Sequence, residues 1–401
     1  MHIKSNYYRI LLSIVINNFG DVLFDLFIVW RITNETESIM SAVYMIGSSI
    51  LFRAVLSMFI GVIVDRFNKK KMIILSNFSS ACIILAFAFL FDFIKANIII
   101  GVFFILLNDV NNEVFGRCTL LISSELFDKE TFIKFQAKYS IINRIVIIAG
   151  SSIVGVLISI IPSLVIFMLD IVTFVISAVL IALVSYHQAS DISSKTSIKG
   201  ELLRLKNDIS YMLNEVKTNK FIILFMIIMF VLNLAYGFIP YILPVKIANE
   251  HTSATLLGII KSSIAIGEVI GLFLVSLHGE KVSLLFKISM VGNAIVMGLL
   301  CYADSIIIVI GCFLMYGLLD SITQPLFGYT VSMIDEKNRG KILGGIDAII
   351  LLSPSIGMYI ITRIMDWCEN AGYLSIICIF GFAFLIVKCN KELNCIDLKG
   401  N

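Results

Sequence analysis

The chain has 401 residues, of which 59% are hydrophobic and 15% charged, and its formal net charge is +3. This composition excludes a disordered chain and lies far from that of the average soluble domain. Twelve apolar stretches account for it, and each is about as long as the roughly 20 helical residues that cross a hydrocarbon core. We number these spans 1 to 12: 9–31, 39–63, 71–92, 97–122, 136–161, 163–186, 220–243, 253–277, 284–303, 305–330, 340–363 and 371–388.

Basic residues are concentrated in alternate connections between the spans, including residues 66–71 and 187–220. If the N-terminus is cytoplasmic, all these connections are cytoplasmic, and the positive-inside rule then places both termini in the cytoplasm. The first span is long, holds two aspartates and lacks a small-residue cleavage site, so we interpret it as a membrane helix rather than a signal peptide. The sequence thus predicts an all-α membrane protein with twelve transmembrane helices.

The one long polar connection, residues 187–219, divides the spans into two sets of six. We predict an N-terminal six-helix half at 1–186 and a C-terminal half at 220–388, followed by a cytoplasmic tail at 389–401. Within the connection, apolar residues recur every three or four positions, which predicts an amphipathic helix at the cytoplasmic interface. We interpret it as a tether between the halves, with partner binding as the alternative.

Motifs for other functions are missing from the sequence. The eight cysteines contain no C-x-x-C pair, which disfavours a disulfide framework or a zinc site. There is no P-loop, no H-E-x-x-H and no basic-aromatic stripe for nucleic acid. We therefore expect no cofactor, no metal, no nucleic-acid partner and no enzymatic activity, and an ion gradient as the energy source.

Ionisable residues inside the spans recur with a period of three helices. Away from their ends, spans 3, 9 and 12 hold none, and span 6 holds only Asp170. A charge at the bilayer centre costs roughly 2.5–3.5 kcal/mol, so the other spans must turn theirs towards protein or water. This pattern predicts a transporter whose cavity for substrate and protons includes eight residues: Asp21, Asp25, Arg53, Asp109, Glu113, Arg117, Arg144 and Glu268.

The carboxylates of spans 1 and 4 are the candidate proton carriers. Asp21 and Asp25 share one helix face, and Asp109, Glu113 and Arg117 form a stripe on another helix. A carboxylate with few solvating partners can take up and release a proton near neutral pH. Asp25 and Glu113 are the first candidates for this role, and Asp21 and Asp109 are the next. The alternative is a set of static ion pairs, with Arg117 bound to Glu113 or extended towards the interface.

Arg53 lies at nearly the same predicted depth as Asp21. We predict that the two pair in at least one conformation, with Asp109 as the rival partner, because an unpaired arginine at that depth is strongly disfavoured. The alternative is an Arg53 that faces water and binds an anionic substrate. We expect a structural role for Asp170, and for Glu268 either a close helix crossing or a place in the transport path.

Spans 2 and 3 are joined by the motif Gly61-x-x-x-Asp65-Arg66-x-x-Lys69-Lys70. Asp65 ends a helix where its own dipole is unfavourable, so we expect a partner elsewhere, although an ordinary positive-inside loop is the simpler interpretation. Asn68, between these residues, tolerates a left-handed turn.

This motif resembles the signature loop of the major facilitator superfamily, whose members have twelve helices in two halves. Residues 169–178 in span 6 and 339–341 before span 11 resemble its drug-exporter branch, which includes macrolide efflux permeases and the enterobactin exporter. The resemblance implies that Asp65 latches the halves in the outward-facing state and that Gly150 and Gly155 belong to an antiporter motif. It implies a gating set of six residues: Gly61, Asp65, Arg66, Lys69, Lys70 and Arg339.

Three residues depart from the family pattern. Asn68 replaces a glycine, Ser151 stands where the antiporter proline is expected, and Arg53 occupies a normally apolar region. Ser151 argues against strict antiport, and Arg53 indicates a particular substrate or coupling scheme.

We therefore expect a monomeric exporter in a bacterial plasma membrane that moves an amphipathic organic compound, such as a drug, siderophore or secreted metabolite, by proton antiport. An uptake permease for a small solute is the alternative within the same fold. A membrane sensor or partner subunit that transports nothing is the alternative from another class.

Overall fold

The computed structural model describes residues 2–64, 67–186, 220–278, 282–323 and 350–390, and the regular structure in these ranges is entirely helical. We name the helices in chain order: α1 (His2–Thr36), α2 (Ile39–Val64), α3 (Lys69–Phe89), α4 (Phe91–Ala96), α5 (Ile98–Leu126), α6 (Lys129–Ile160), α7 (Ser163–Ala182), α8 (Lys220–Phe238), α9 (Leu243–Glu250), α10 (Ala254–His278), α11 (Val282–Cys301), α12 (Ile306–Ser321), α13 (Leu352–Trp367) and α14 (Glu369–Cys389).

Within the described ranges, nine helical stretches are long and apolar enough to cross a membrane. Two shorter apolar helices, Ile39–Arg53 and Ile306–Ser321, accompany them. The chain is therefore a multi-pass, all-helical membrane protein. The count of twelve transmembrane helices and the cytoplasmic position of both termini stay predictions, as does the linker helix, because residues 187–219 lie outside the described ranges.

Polar side chains fix where several helices begin. The Asn68 side chain accepts a hydrogen bond from the Lys71 amide at 3.0 Å, and the Asn97 side chain accepts one from the Ile99 amide at 3.1 Å. Asn68 has φ −67° and ψ 110°, so it does not adopt the left-handed conformation that asparagine tolerates. The physical reason is that an N-cap residue needs extended backbone for its side chain to reach the free amides of the first turn.

Span 7 of the sequence is divided in the structure, since α8 ends at Phe238 and α9 begins at Leu243. Pro240 lies in the break and has no amide hydrogen with which to continue the helix. The Lys261 ammonium donates to the Pro240 carbonyl oxygen at 2.6 Å and lies 5.0 Å from the centre of the Tyr241 ring. The lysine thus satisfies a carbonyl oxygen whose helical donor would be residue 244, another proline without an amide hydrogen.

Contacts divide the chain into two compact units. One comprises Met1–Lys199 with Ala248–Gly258, and the other comprises Gly200–Ile247 with Ile259–Asn401. In the second unit, a Cβ atom on Gly357 would lie 2.0 Å from the Leu234 carbonyl oxygen. Only glycine therefore allows α13 to pack so closely on α8.

In the first unit, α7 packs against both α1 and α3. The Phe27 and Phe167 rings meet edge to face with their centroids 5.0 Å apart. Further along the same interface, the Ser13 and Ser177 hydroxyl oxygens are 2.8 Å apart, and the Asn77 amide donates to Ser177 Oγ at 3.0 Å. Aromatic packing and a short polar seam together hold α1, α3 and α7.

Candidate functional site

The acidic face of α1 points into the first unit. The Asn17 amide donates to Asp21 Oδ2 at 3.1 Å. Asp21 Oδ1 is shielded from solvent and has no hydrogen-bond partner among the described residues. Asp25, one turn further along, is exposed. The helix therefore presents one sheltered and one accessible carboxyl group on the same face.

The predicted stripe on α5 is also present. Arg117 Nε donates to Glu113 Oε1 at 2.9 Å, and the two side chains are 38% and 19% exposed. Arg117 therefore pairs with Glu113, as one of the two sequence interpretations stated. Asp109, one turn before Glu113, is only 7% exposed, and its Oδ2 atom has no hydrogen-bond partner among the described residues.

These two faces meet at α2. Asp21 lies within electrostatic range of Asp25, Arg53 and Asp109 and beside the Asn112 amide. Asp109 in turn lies within range of Arg53, Asp25 and Glu113. We call the group Asp21, Asp25, Arg53, Asp109 and Glu113 the acidic cluster. Residues far apart in the sequence thus form one charged site inside the first unit.

Arg53 is the basic member of the acidic cluster, and its side chain is exposed. It takes part in none of the ion pairs formed among the described residues. The predicted contact with Asp21 is thus not made in this conformation, although the two charges are near each other. An exposed guanidinium that is near carboxyl groups but forms no ion pair among the described residues can bind water or an anionic ligand.

The other predicted cavity residues lie at neighbouring positions. Arg144 is half-buried on α6. It follows Asn143, whose Oδ1 accepts from the Asn18 amide at 2.7 Å. Glu268 lies in the second unit, where a Cβ atom on Gly267 would be 2.0 Å from the Leu314 carbonyl oxygen. Glu268 is therefore the residue next to a close crossing of α10 and α12, which agrees with the first of the two roles suggested for it from the sequence.

Two lysines of the predicted gating set contact the first unit itself. Lys69 Nζ lies 2.7 Å from Glu125 Oε1, and the Tyr186 hydroxyl donates to Glu125 Oε2 at 2.5 Å. Lys70 Nζ donates to two carbonyl oxygens at the end of α7, those of Ala182 at 2.8 Å and Val184 at 2.9 Å. We call the group Lys69, Lys70, Glu125 and Tyr186 the Glu125 corner.

Burial raises the pKa of the Tyr186 phenol above its ordinary value, and the neighbouring Glu125 adds to this because a second anion would be repelled. The hydroxyl therefore keeps its proton and remains a donor. Asn6 and Ser185 bind each other through two further bonds, at 3.0 and 3.1 Å. Glu125 and Tyr186 were not predicted from the sequence. The one feature of the sequence that pointed to this site is the carboxylate of Glu125 near the end of α5.

The remaining residues to place are those of the predicted gating set and the two glycines of the predicted antiporter motif. Asp65, Arg66 and Arg339 lie outside the described residues, and Gly61 lies in α2. A Cβ atom on Gly150 would lie 3.4 Å from Val22 Cγ1, in ordinary contact with α1. At Gly155 it would lie 2.9 Å from the Gly258 Cα atom, so glycine is required there for close backbone packing within the first unit.

Comparison with known proteins assigns the fold. The family model described as Major Facilitator Superfamily matches residues 10–331. The chain belongs to the major facilitator superfamily. It is therefore a membrane transporter of that type, a class whose members are in general not enzymes. Among curated proteins, no sequence relative was found.

Solved structures of this superfamily resemble the chain over nearly its whole length. The nucleoside transporter NupG gives a TM-score of 0.69 at 13% identity and covers 94% of this chain and 97% of its own. The D-xylose-proton symporter gives 0.69 at 12%, with 96% and 97% covered. The human organic anion transporter MFSD10 gives 0.65 at 10%, with 96% and 99% covered. At such identities the likeness concerns the fold alone.

Proposed function

We propose that this major facilitator exports an amphipathic organic compound in exchange for protons across a bacterial plasma membrane. It acts as a monomer, with residues 1–186 and 220–388 as its two halves and alternating access between them. Both termini are cytoplasmic and twelve helices span the membrane. The observation that carries the proposal is the acidic cluster, in which four carboxyl groups converge at one place inside the first unit.

The acidic cluster supplies what proton coupling needs. Asp25 is exposed, so it can exchange protons with water, whereas Asp109 is nearly sealed off. Like charges held close together disfavour simultaneous ionisation, so the acidic cluster retains protons. It releases them when a cation binds or when water reaches the cluster. Antiport follows if a cationic part of the substrate and the protons compete for the same carboxylates.

A second candidate function rests on Arg53. An exposed guanidinium beside the carboxyl groups suits an anionic solute, as the alternative sequence interpretation stated. Protons on Asp21 and Asp109 would then free Arg53 for the anion, so proton and solute would bind together. That sign of coupling belongs to proton-coupled uptake of a small anionic solute rather than to antiport.

Transport assays in cells with and without the gene distinguish these candidate functions. The cells would be loaded with ethidium, an amphipathic cation, or with carboxyfluorescein, an organic anion, and an imposed proton gradient would follow. We expect energised loss of ethidium with the gene, slowed by Asp25→Asn but not by Asp304→Asn, an exposed carboxyl group outside the cluster.

Other results of the dye experiment would favour one of the remaining candidate functions. Energised accumulation of carboxyfluorescein that requires Arg53 would replace export by uptake. If neither dye, nor any member of a wider panel of charged amphipathic compounds, moved in a gene-dependent manner, the non-transporting interpretation would take its place.

A further inference from the structure

Asp170 is the one ionisable residue of α7, and its side chain is 0% exposed. It lies in the interface between α7 and α1, where the sequence analysis gave it a structural role. A buried charge is costly unless it is paired and hydrogen-bonded, so the groups around this carboxyl group decide which form it takes.

Among the described residues, the carboxyl oxygens of Asp170 have one long hydrogen-bond contact at most. The Thr173 hydroxyl has a single proton, which it donates to the Asp170 main-chain oxygen at 2.7 Å. Its contact with Asp170 Oδ1 is longer, at 3.5 Å. Asp170 Oδ2 is buried without a partner among the described residues. Among the described residues, a carboxylate would leave Oδ2 unsatisfied and Oδ1 with only this long contact, whereas a protonated carboxyl group can itself donate to Thr173 Oγ1.

No positive charge among the described residues acts on Asp170. The charges of α1 within its range are those of Asp21 and Asp25, both acidic. On α3, which also packs on α7, the charges are confined to Lys69–Lys71 at its start. The described residues therefore place this carboxyl group beside other carboxyl groups, which favours its neutral form.

Gly20 brings α1 close to Asp170. A Cβ atom on Gly20 would lie 2.2 Å from Thr173 Oγ1 and 2.8 Å from Asp170 Oδ1. The next residue is Asp21, whose Oδ1 atom also lacks a donor. The missing side chain thus lets the α7 carboxyl group approach the α1 backbone directly beside an aspartate of the acidic cluster.

We propose that Asp170 holds a proton in this structure and exchanges it with Asp21, which makes it a coupling residue of the proton path. In the exchange, the O–H bond of Asp170 breaks and one forms on Asp21, so the negative charge moves from Asp21 to Asp170. The inference rests on the proposed proton coupling, and it extends the proton site from the acidic cluster into the α1–α7 interface.

A permanently neutral Asp170 that only joins two helices is the competing explanation. Polar groups often bind helices together in membranes, and Ser13, Ser177 and Asn77 already do so in this interface. The two explanations differ in whether the Asp170 proton responds to pH and to the charge of Asp21. A permanently neutral group responds to neither.

Infrared spectroscopy of the purified full chain in detergent tests this without any substrate. We expect a carbonyl band of a shielded carboxylic acid that is missing in Asp170→Asn and that fades in the native chain as the pH rises. In Asp21→Asn it should fade at a lower pH, because a neighbouring negative charge has been removed. Asp304→Asn is the control and should leave the band unchanged.

Three results would overturn the proposal. They are a band that persists at all pH values at which the protein stays folded, a band unaffected by Asp21→Asn, and no band lost in Asp170→Asn. Because Asp21→Asn keeps Asp170 in place, the test survives even if Asp170→Asn does not fold. Failure of dye transport would count against the proposed function alone, since the infrared result does not depend on a substrate.

Discussion

The Glu125 corner and the acidic cluster both contain several charged residues of the first unit, yet they differ in how their carboxyl oxygens are satisfied. At the corner, each oxygen of Glu125 has a donor, Lys69 on one side and Tyr186 on the other. In the acidic cluster, Asp21 Oδ1 and Asp109 Oδ2 have none among the described residues. Saturated carboxylates hold a structure together, whereas unsaturated ones remain available to protons or ligands.

The largest expected effect comes from neutralising the acidic cluster. Asp25→Asn and Glu113→Gln should each abolish uphill transport while leaving folding intact, because a neutral amide cannot carry a proton. Measurements of energised efflux and of the melting temperature in detergent check this. Asp21→Asn and Asp109→Asn should have the same effect more weakly, and full pH-dependent efflux in all four variants would contradict proton coupling.

A charge swap examines the Arg53 side of the comparison. Arg53→Asp should lower expression and transport severely, because it adds a further carboxyl group to a site already rich in them. Combining it with Asp21→Arg should restore part of both if the two residues pair in some conformation. Expression and transport of the double variant, set against each single variant, decide the matter. A double variant no better than the worse single one would favour the anion-site interpretation of Arg53.

At the Glu125 corner, a substitution should affect stability rather than proton coupling. Glu125→Gln leaves Lys69, which is 8% exposed, without its carboxylate. We expect a loss of about 1–3 kcal/mol in the free energy of unfolding and an unchanged pH profile of transport. Glu130→Gln is a matched control, because the Glu130–Lys134 pair is 77% and 68% exposed and should contribute little. A changed pH profile in Glu125→Gln would end the distinction between the two regions.

The smallest effect concerns Asp128, a saturated carboxylate that lies outside both regions. Hydrogen bonds from the Thr131 side chain and then from the backbone hold its pKa below the ordinary 3.8. Its stabilising contribution is therefore present above that value and disappears as the pH falls through the lowered pKa. Asp128→Ala should melt slightly earlier than the native chain at neutral pH, and the difference should vanish in strong acid. A difference that grew in acid would mean that the cap acts in its protonated form.

Local patterns in the sequence predicted local structure well. Glu113 and Arg117 are four residues apart on a helix, so their ion pair was one of two explicit expectations. The placement of charges in the spans likewise indicated a transporter before any helix was located. These inferences need only helical periodicity and the cost of charge in a membrane, both of which are properties of short segments.

Long-range partners could not be found in this way. Lys69 binds a residue 56 positions away, and Lys70 binds carbonyl oxygens 112 and 114 positions away. The sequence of a basic loop does not specify such distant partners. The family resemblance instead predicted that this loop contacts the C-terminal half. Asp170 is a similar case. Its apolar helix suggested a packing role, and only the three-dimensional structure shows that Asp170 Oδ2 has no hydrogen-bond donor among the described residues.

The bonds between α1 and the end of α7 also bear on how the protein is made. Asn6 binds Ser185, 179 residues later, and Arg9 donates to the Leu183 carbonyl oxygen, 174 residues later. During synthesis, the first helix therefore cannot form these bonds until about 180 further residues have left the ribosome. A ribosome stalled before residue 183 would leave α1 open to membrane chaperones and proteases, so quality control can act on this unit before the linker has been translated.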